Sequence, residues 1–120
     1  MSEAGKFIRL YQILRHDTNK AVILKLDYGF TSMPSRRDNV NYYMENVVKL
    51  GIDSVILTKG LIKRLYRYFK GKNAPTPIMR VDWTNIFRKE HHPLPMTTES
   101  HIMYADVDEA LSLGASAIYL

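Results

Sequence analysis

Residues 76–83, TPIMRVDW, carry two chemistries on alternate positions. Successive side chains of an extended strand point to opposite faces, so Met79, Val81 and Trp83 fall on one side and Ile78, Arg80 and Asp82 on the other. The first face is wholly apolar, and the second turns charged toward its carboxyl end. An earlier stretch, residues 21–29 (AVILKLDYG), repeats the pattern. There Val22, Leu24 and Leu26 share one face, while Ile23, Lys25 and Asp27 share the other.

Around these two strands the chain alternates between periods. Residues 5–16 space Phe7, Ile8, Leu10, Tyr11 and Leu14 as a short amphipathic helix would. Residues 35–51 open with Ser35 and Asp38 at capping-box spacing, place Val40, Tyr43, Met44, Val47 and Val48 on one stripe, and stop at Gly51. DSVILTKG, residues 53–60, is a strand. LIKRLYRYFKG, residues 61–71, is a helix with Leu61, Ile62, Leu65, Tyr66 and Phe69 on its apolar side. The breakers Pro75 and Pro77 introduce the strand at 76–83, and residues 84–104 show no regular period. Asp106 and Glu109 form a second capping pair before the helix DVDEALSLG, and AIYL, residues 117–120, is a fourth strand. The pair Leu50-Gly51 recurs as Leu113-Gly114, 63 residues later, each time between a helix end and a strand start.

Strands separated by helices pair in parallel through right-handed crossovers. A doubly wound sheet, covered on both faces, would bury the Lys-x-Asp and Arg-x-Asp patterns at a cost of several kcal/mol if unpaired. A (β/α)₈ barrel accommodates them, because its outer face packs on a helix ring and its inner face can be charged at the catalytic mouth. Lys25 is then expected level with Arg80 and Asp27 level with Asp82, two cations neutralising two carboxylates. Such a barrel needs eight units and about 250 residues. The four strands of residues 1–120 are therefore expected to be the N-terminal half of a single TIM-barrel domain, with its leading helix at 5–16. A free half would expose the edges of strands one and four.

Composition narrows the function classes. The 120 residues are 46% hydrophobic and 24% charged, with a net charge of +5 and no cysteine. Disulfides, thiolate catalysis and sulfur-based zinc sites are excluded, and a reducing, cytoplasmic setting is the expectation. No apolar run approaches the ~20 residues of a membrane span, so no membrane partner is expected. The positive charge suits an anionic ligand such as a sugar phosphate, or nucleic acid.

GKFIRLYQILRHDTNKAVILKLDYG resembles the N-terminus of the DhnA-type class I aldolases, which include archaeal fructose-bisphosphate aldolase and the aminodideoxyheptulosonate synthases. Gly5-Lys6, Arg9-Leu10 and Asp27-Tyr28-Gly29 stand at the family's leading-helix and first-strand positions. Lys59-Gly60 matches the close of its second strand, and DVDEALSLGASAIYL resembles its helix and fourth strand. The resemblance implies a barrel lyase that makes or cleaves a carbon–carbon bond in a sugar phosphate or keto substrate through a lysine Schiff base, with no cofactor. The parent enzyme is expected to be a homo-oligomer. The family's strand-one aspartate matches Asp27, implied to be catalytic by orienting the lysine or substrate and carrying a proton. Its Schiff-base lysine lies on strand six, beyond these residues, so residues 1–120 alone are expected to be inactive. Lys25, Tyr28, Lys59, Arg80, Asp82, Trp83 and Arg88 are the expected substrate-binding residues. Two departures stand out. Tyr28 replaces the usual histidine, exchanging a group that titrates near neutrality for a phenol of pKa about 10. Residues 81–95 are longer and more aromatic than the family's turn.

Two other patterns compete. His91, His92, Glu99 and His101 are metal-ligand types in one loop, at a spacing that matches no known motif. Residues 59–72 hold six Lys/Arg and no acid, interleaved with aromatics. They fit an outer barrel helix with Lys63, Arg64, Arg67 and Lys70 in solvent. The alternative is a small basic α/β module that binds nucleic acid through this helix.

Overall fold

The computed structural model describes residues 2–15, 17–27 and 39–120. Ser35, Asp38, Tyr28 and Gly29 lie outside them. Helix α1 spans Glu3–Ile13, strand β1 Ile23–Lys25, helix α2 Val40–Leu50, strand β2 Ser54–Thr58 and helix α3 Lys59–Leu65. Strands β3 (Thr76–Arg80), β4 (Asp82–Thr84) and β5 (His101–Met103) follow, then helix α4 (Val107–Ser112) and strand β6 (Ala117–Tyr119). The main sheet is parallel throughout, in the order β1-β2-β3-β6. β4 and β5 form a separate antiparallel pair. The α/β class and the four parallel strands read from the sequence are both present.

Strand parity divides the interior into two layers. Leu24 and Leu26, Val55 and Leu57, and Met79 and Val81 join Met44, Val47, Ile62, Leu65 and Ala110 in the core between sheet and helices. Met44, Leu57 and Met79 are fully buried, and a side chain of that size contributes about 1.5–3 kcal/mol when taken from water. The opposite face is smaller and apolar only at its amino end, where Ile56 and Ile78 pack with Ile13 of α1.

That contact gives α1 its position. Gln12 O accepts from Thr76 Oγ1 at 2.8 Å, and Arg15 donates to Ala74 O at 2.7 Å and to Thr76 Oγ1 at 2.6 Å. The end of α1 is thereby tied across the amino end of β3, and the Ser116 hydroxyl bonds to Gln12 before β6. The expected burial of α1's apolar stripe is not found: Phe7, Ile8, Leu10 and Tyr11 are exposed, and Ile13, outside that stripe, is the buried residue. Ile13 alone reaches down the sheet, while the stripe one turn earlier projects past it.

Two further expectations are corrected. The helix read over 61–71 is α-helical only to Leu65 and tightens into a 3₁₀ turn at Tyr66–Phe69. The tighter turn brings Tyr68 and Phe69 against the core and leaves Tyr66 exposed. Lys63, Arg64, Arg67 and Lys70 are exposed. The strand read over 76–83 breaks at Val81, whose N–H still donates to Tyr119 O at 3.2 Å while its carbonyl accepts from Tyr104 N at 3.0 Å. Beyond the break, residues 82–84 leave the parallel sheet and pair with 101–103, inside a stretch whose sequence shows no period.

The repeated Leu-Gly pair has a common structural cause. Gly51 (φ 67°) and Gly114 (φ 76°) are both left-handed. Ile52 N bonds to Val47 O at 3.1 Å and Ala115 N to Ala110 O at 3.0 Å, the bonds of a Schellman turn. Each turn sends the chain from a helix directly into the next strand. Gly51→Ala and Gly114→Ala are each expected to destabilise by about 1 kcal/mol, because Cβ disfavours this conformation. Gly60→Ala, in open space within α3, is expected to raise stability by up to about 1 kcal/mol. Urea unfolding of the three variants measures both signs.

Candidate active site

The inner face changes character at the carboxyl ends of the strands. β3 ends at Arg80, whose side chain is 5% exposed. Leu26 N bonds to Ile56 O at 2.9 Å, which continues the β1–β2 ladder and brings Asp27 onto the same inner face. Arg80 Nη1 donates to Asp27 Oδ2 at 2.6 Å, and Arg80 Nε donates to Asp82 Oδ1 at 3.0 Å. Asp82 Oδ2 lies 2.6 Å from His101 Nε2, across the β4–β5 pair. Lys25 approaches from the open side, with Nζ 3.9 Å from Asp27 Oδ2, 3.5 Å from Tyr119 Oη and 4.9 Å from the centre of the Tyr119 ring. The Arg80 guanidinium lies 5.6 Å from the same ring.

The electrostatics follow from this packing. Burial opposes charge on Arg80, but its hydrogen bonds to Asp27 and Asp82 outweigh that and raise its pKa. Burial likewise pushes Asp82 up, and the bonds from His101 and Arg80 outweigh it, holding the carboxyl below its ordinary value. Tyr104, whose hydroxyl donates to Arg80 O, is raised chiefly by burial. Two cations and two carboxylates thus share one buried cluster, and Lys25, 44% exposed, is its face to solvent.

Of the expected site residues, Lys25, Asp27, Arg80 and Asp82 come together, but not at the expected heights. Lys25 is level with Ile56, Ile78 and Ala117 in the ladder, and Arg80 with Thr58 and Tyr119. Arg80 therefore meets Asp27, one step further along β1 than Lys25, and Asp82 stands above both. Lys59 is outside this cluster. Its Nζ is 3.1 Å from Glu109 Oε1 and 5.6 Å from the centre of the Tyr104 ring. Trp83 alternates with Asp82 to the other side of β4 and carries Arg88, whose guanidinium is 5.0 Å from the ring centre. The histidine-rich loop does not converge: His101 turns to Asp82, and His92 Nδ1 accepts from Leu94 N at 2.9 Å. Among the described residues no three metal-ligand side chains gather, and no helix is long and apolar enough to cross a membrane.

Sequence reasoning missed Tyr119, Tyr104 and the place of His101. Tyr119 carried a signal, since it has the inward parity of the last strand. Tyr104 and His101 did not, because their roles depend on the β4–β5 pairing.

Asp27 and Arg80 are both nearly sealed from water, so removing one partner strands a buried charge. Asp27→Asn is expected to cost about 3 kcal/mol. Arg80→Met should cost more, since it takes the shared guanidinium from two buried acids at once. Denaturant titration of both variants tests the order. Asp82 titrates lower in the folded chain than unfolded, so its contribution is complete above the unfolded carboxylate value and is lost as pH falls through the folded one. Unfolding midpoints measured from about pH 6 to about pH 3 should therefore fall less steeply in Asp82→Asn than in the unmodified chain.

No family model matches this chain. Among curated proteins it is 26% identical over 118 residues to an uncharacterized aldolase of Saccharolobus solfataricus. The alignment takes in 95% of this chain and 41% of that protein, so the chain spans about two fifths of its relative's length. The similarity supports a distant, aldolase-like relationship.

Proposed function

We propose that residues 1–120 form the first half of a (β/α)₈ barrel in a class I aldolase, a lyase acting on a sugar phosphate or keto substrate through a lysine imine. The observation that carries this is the Asp27–Arg80–Asp82 cluster at the carboxyl ends of parallel strands whose amino ends are closed by α1. Active sites of barrel enzymes lie at that carboxyl face. The parallel sheet and the similarity to an aldolase along nearly the whole chain both agree with it.

In this assignment Asp27 is the catalytic carboxylate. Its bond to Arg80 fixes one oxygen, leaving the other to orient the imine lysine or a substrate hydroxyl. Lys25, the exposed cation of the cluster, anchors the anionic group of the substrate. Arg80 and Asp82 hold the site in register, and Arg88 on Trp83 lies further out as a second cation for a phosphate or carboxylate. The imine lysine is supplied by a later strand. Both lysines near the mouth have carboxylate partners, Asp27 for Lys25 and Glu109 for Lys59. Such partners suit charged anchors, whereas the imine-forming amine must be neutral to attack a ketone.

The test is the intact mass of the natural protein after incubation with dihydroxyacetone phosphate and borohydride. The expected result is a species near twice the 13.9 kDa of these residues, carrying a reduced adduct on a lysine outside residues 1–120. A species of 13.9 kDa without adduct would overturn the proposal. An adduct on Lys25 or Lys59 would move the nucleophile into this half.

A further inference from the structure

Among the described residues His101 is the one imidazole in contact with the cluster. Its Nε2 sits 2.6 Å from Asp82 Oδ2, and Asp82 is itself fixed through its other oxygen by Arg80 Nε at 3.0 Å. The His101 side chain is 61% exposed, whereas Asp82 is 4% exposed. A buried carboxylate therefore holds one ring nitrogen while the rest of the ring faces the solvent side of the mouth. Because Asp82 is kept ionised by Arg80 and His101, its oxygen can only accept. In the neutral ring the proton must then be on Nε2, which leaves the Nδ1 lone pair directed away from Asp82 with no partner among the described residues.

We infer that His101, oriented by Asp82, is the proton-transfer residue of this site, taking a proton from a substrate hydroxyl at Nδ1. The role rests on the aldolase function proposed above. In the cleavage direction the hydroxyl proton passes to Nδ1, and the O–H electron pair becomes the second bond of a new carbonyl. The carbon–carbon bond breaks, and its electron pair is taken up by the lysine iminium as an enamine. The imidazolium then returns the proton to the enamine carbon, and water releases the ketone from the lysine. In the synthetic direction the same proton moves from Nδ1 to the newly formed alkoxide. Asp82 is a positioning residue in this scheme and touches no substrate.

The experiment has two readouts on the full-length protein. Long-range proton–nitrogen correlation spectra at neutral pH should show the Nε2–H tautomer at His101, and the Nδ1–H tautomer would overturn the inference. His101→Gln keeps an N–H for Asp82 but cannot carry a proton. It should lower kcat about 100-fold with KM within about threefold, while the borohydride-trapped imine still forms. His101→Ala should lose turnover similarly and regain at least about tenfold with added imidazole, which a purely structural role would not allow. Unchanged kcat in His101→Gln overturns the role of His101 and leaves the aldolase function standing. Absence of a trapped imine in the unmodified protein overturns both.

Discussion

An arginine side chain that is 5% exposed is tolerable inside a sheet only if anions meet it there, and Arg80 makes that demand at the centre of this fold. Its partners come from opposite directions in the chain. Asp27 arrives from the end of β1, 53 residues earlier, which requires β1, β2 and β3 to be in their observed register. Asp82 arrives from two residues later, on the same face by strand parity, and its carboxylate bonds back to Arg80 Nε. The strand breaks between the two, at Val81. Its carbonyl leaves the parallel ladder for Tyr104, and the β4–β5 pair then carries Asp82 above Arg80 and brings His101 beside it. Tyr104 secures the corner by bonding the carbonyls of both Arg80 and Val81. One buried charge thus links the register of the sheet, the interruption of its third strand and the composition of the candidate site.

The two faces of the sheet were legible in the sequence because parity along a strand has no alternative once one face must be apolar. Leu24, Leu26, Met79 and Val81 could be assigned to the helix side, and Lys25, Asp27 and Arg80 to the inner side, from spacing. Height along the strands was not legible. Parity fixes the face a residue occupies, whereas the pairing partner depends on the stagger between strands, and that stagger is set by contacts far apart in sequence. Placing Lys25 level with Arg80 failed for this reason. The strand at 101–103 was hidden for a related one: three exposed residues paired to β4 have no burial pattern of their own. His101 looked like a metal ligand because its partner, Asp82, is brought to it only by that pairing.

The same sheet is apolar at one end and charged at the other, and the helix α1 explains why the division is stable. Ile13 fills the inner face beside Ile56 and Ile78, and the polar groups of Gln12 and Arg15 satisfy the strand ends around it. With the amino end covered by Ile13, Lys25 and His101 are the cluster's exposed charged or titratable side chains among the described residues. Charges placed there keep contact with water through Lys25 while Asp27 and Asp82 remain buried. A carboxylate in that position is held as an acceptor and is strengthened by low-dielectric surroundings. This arrangement gives Asp27 and His101 different capacities at the two ends of one chain of contacts through Arg80 and Asp82. One is a fixed anion locked to a cation, and the other is an exposed ring whose Nε2 is held by Asp82. Chemistry that must both stabilise a cation and move a proton needs such a pair, and only the carboxyl end of this sheet offers one among the described residues.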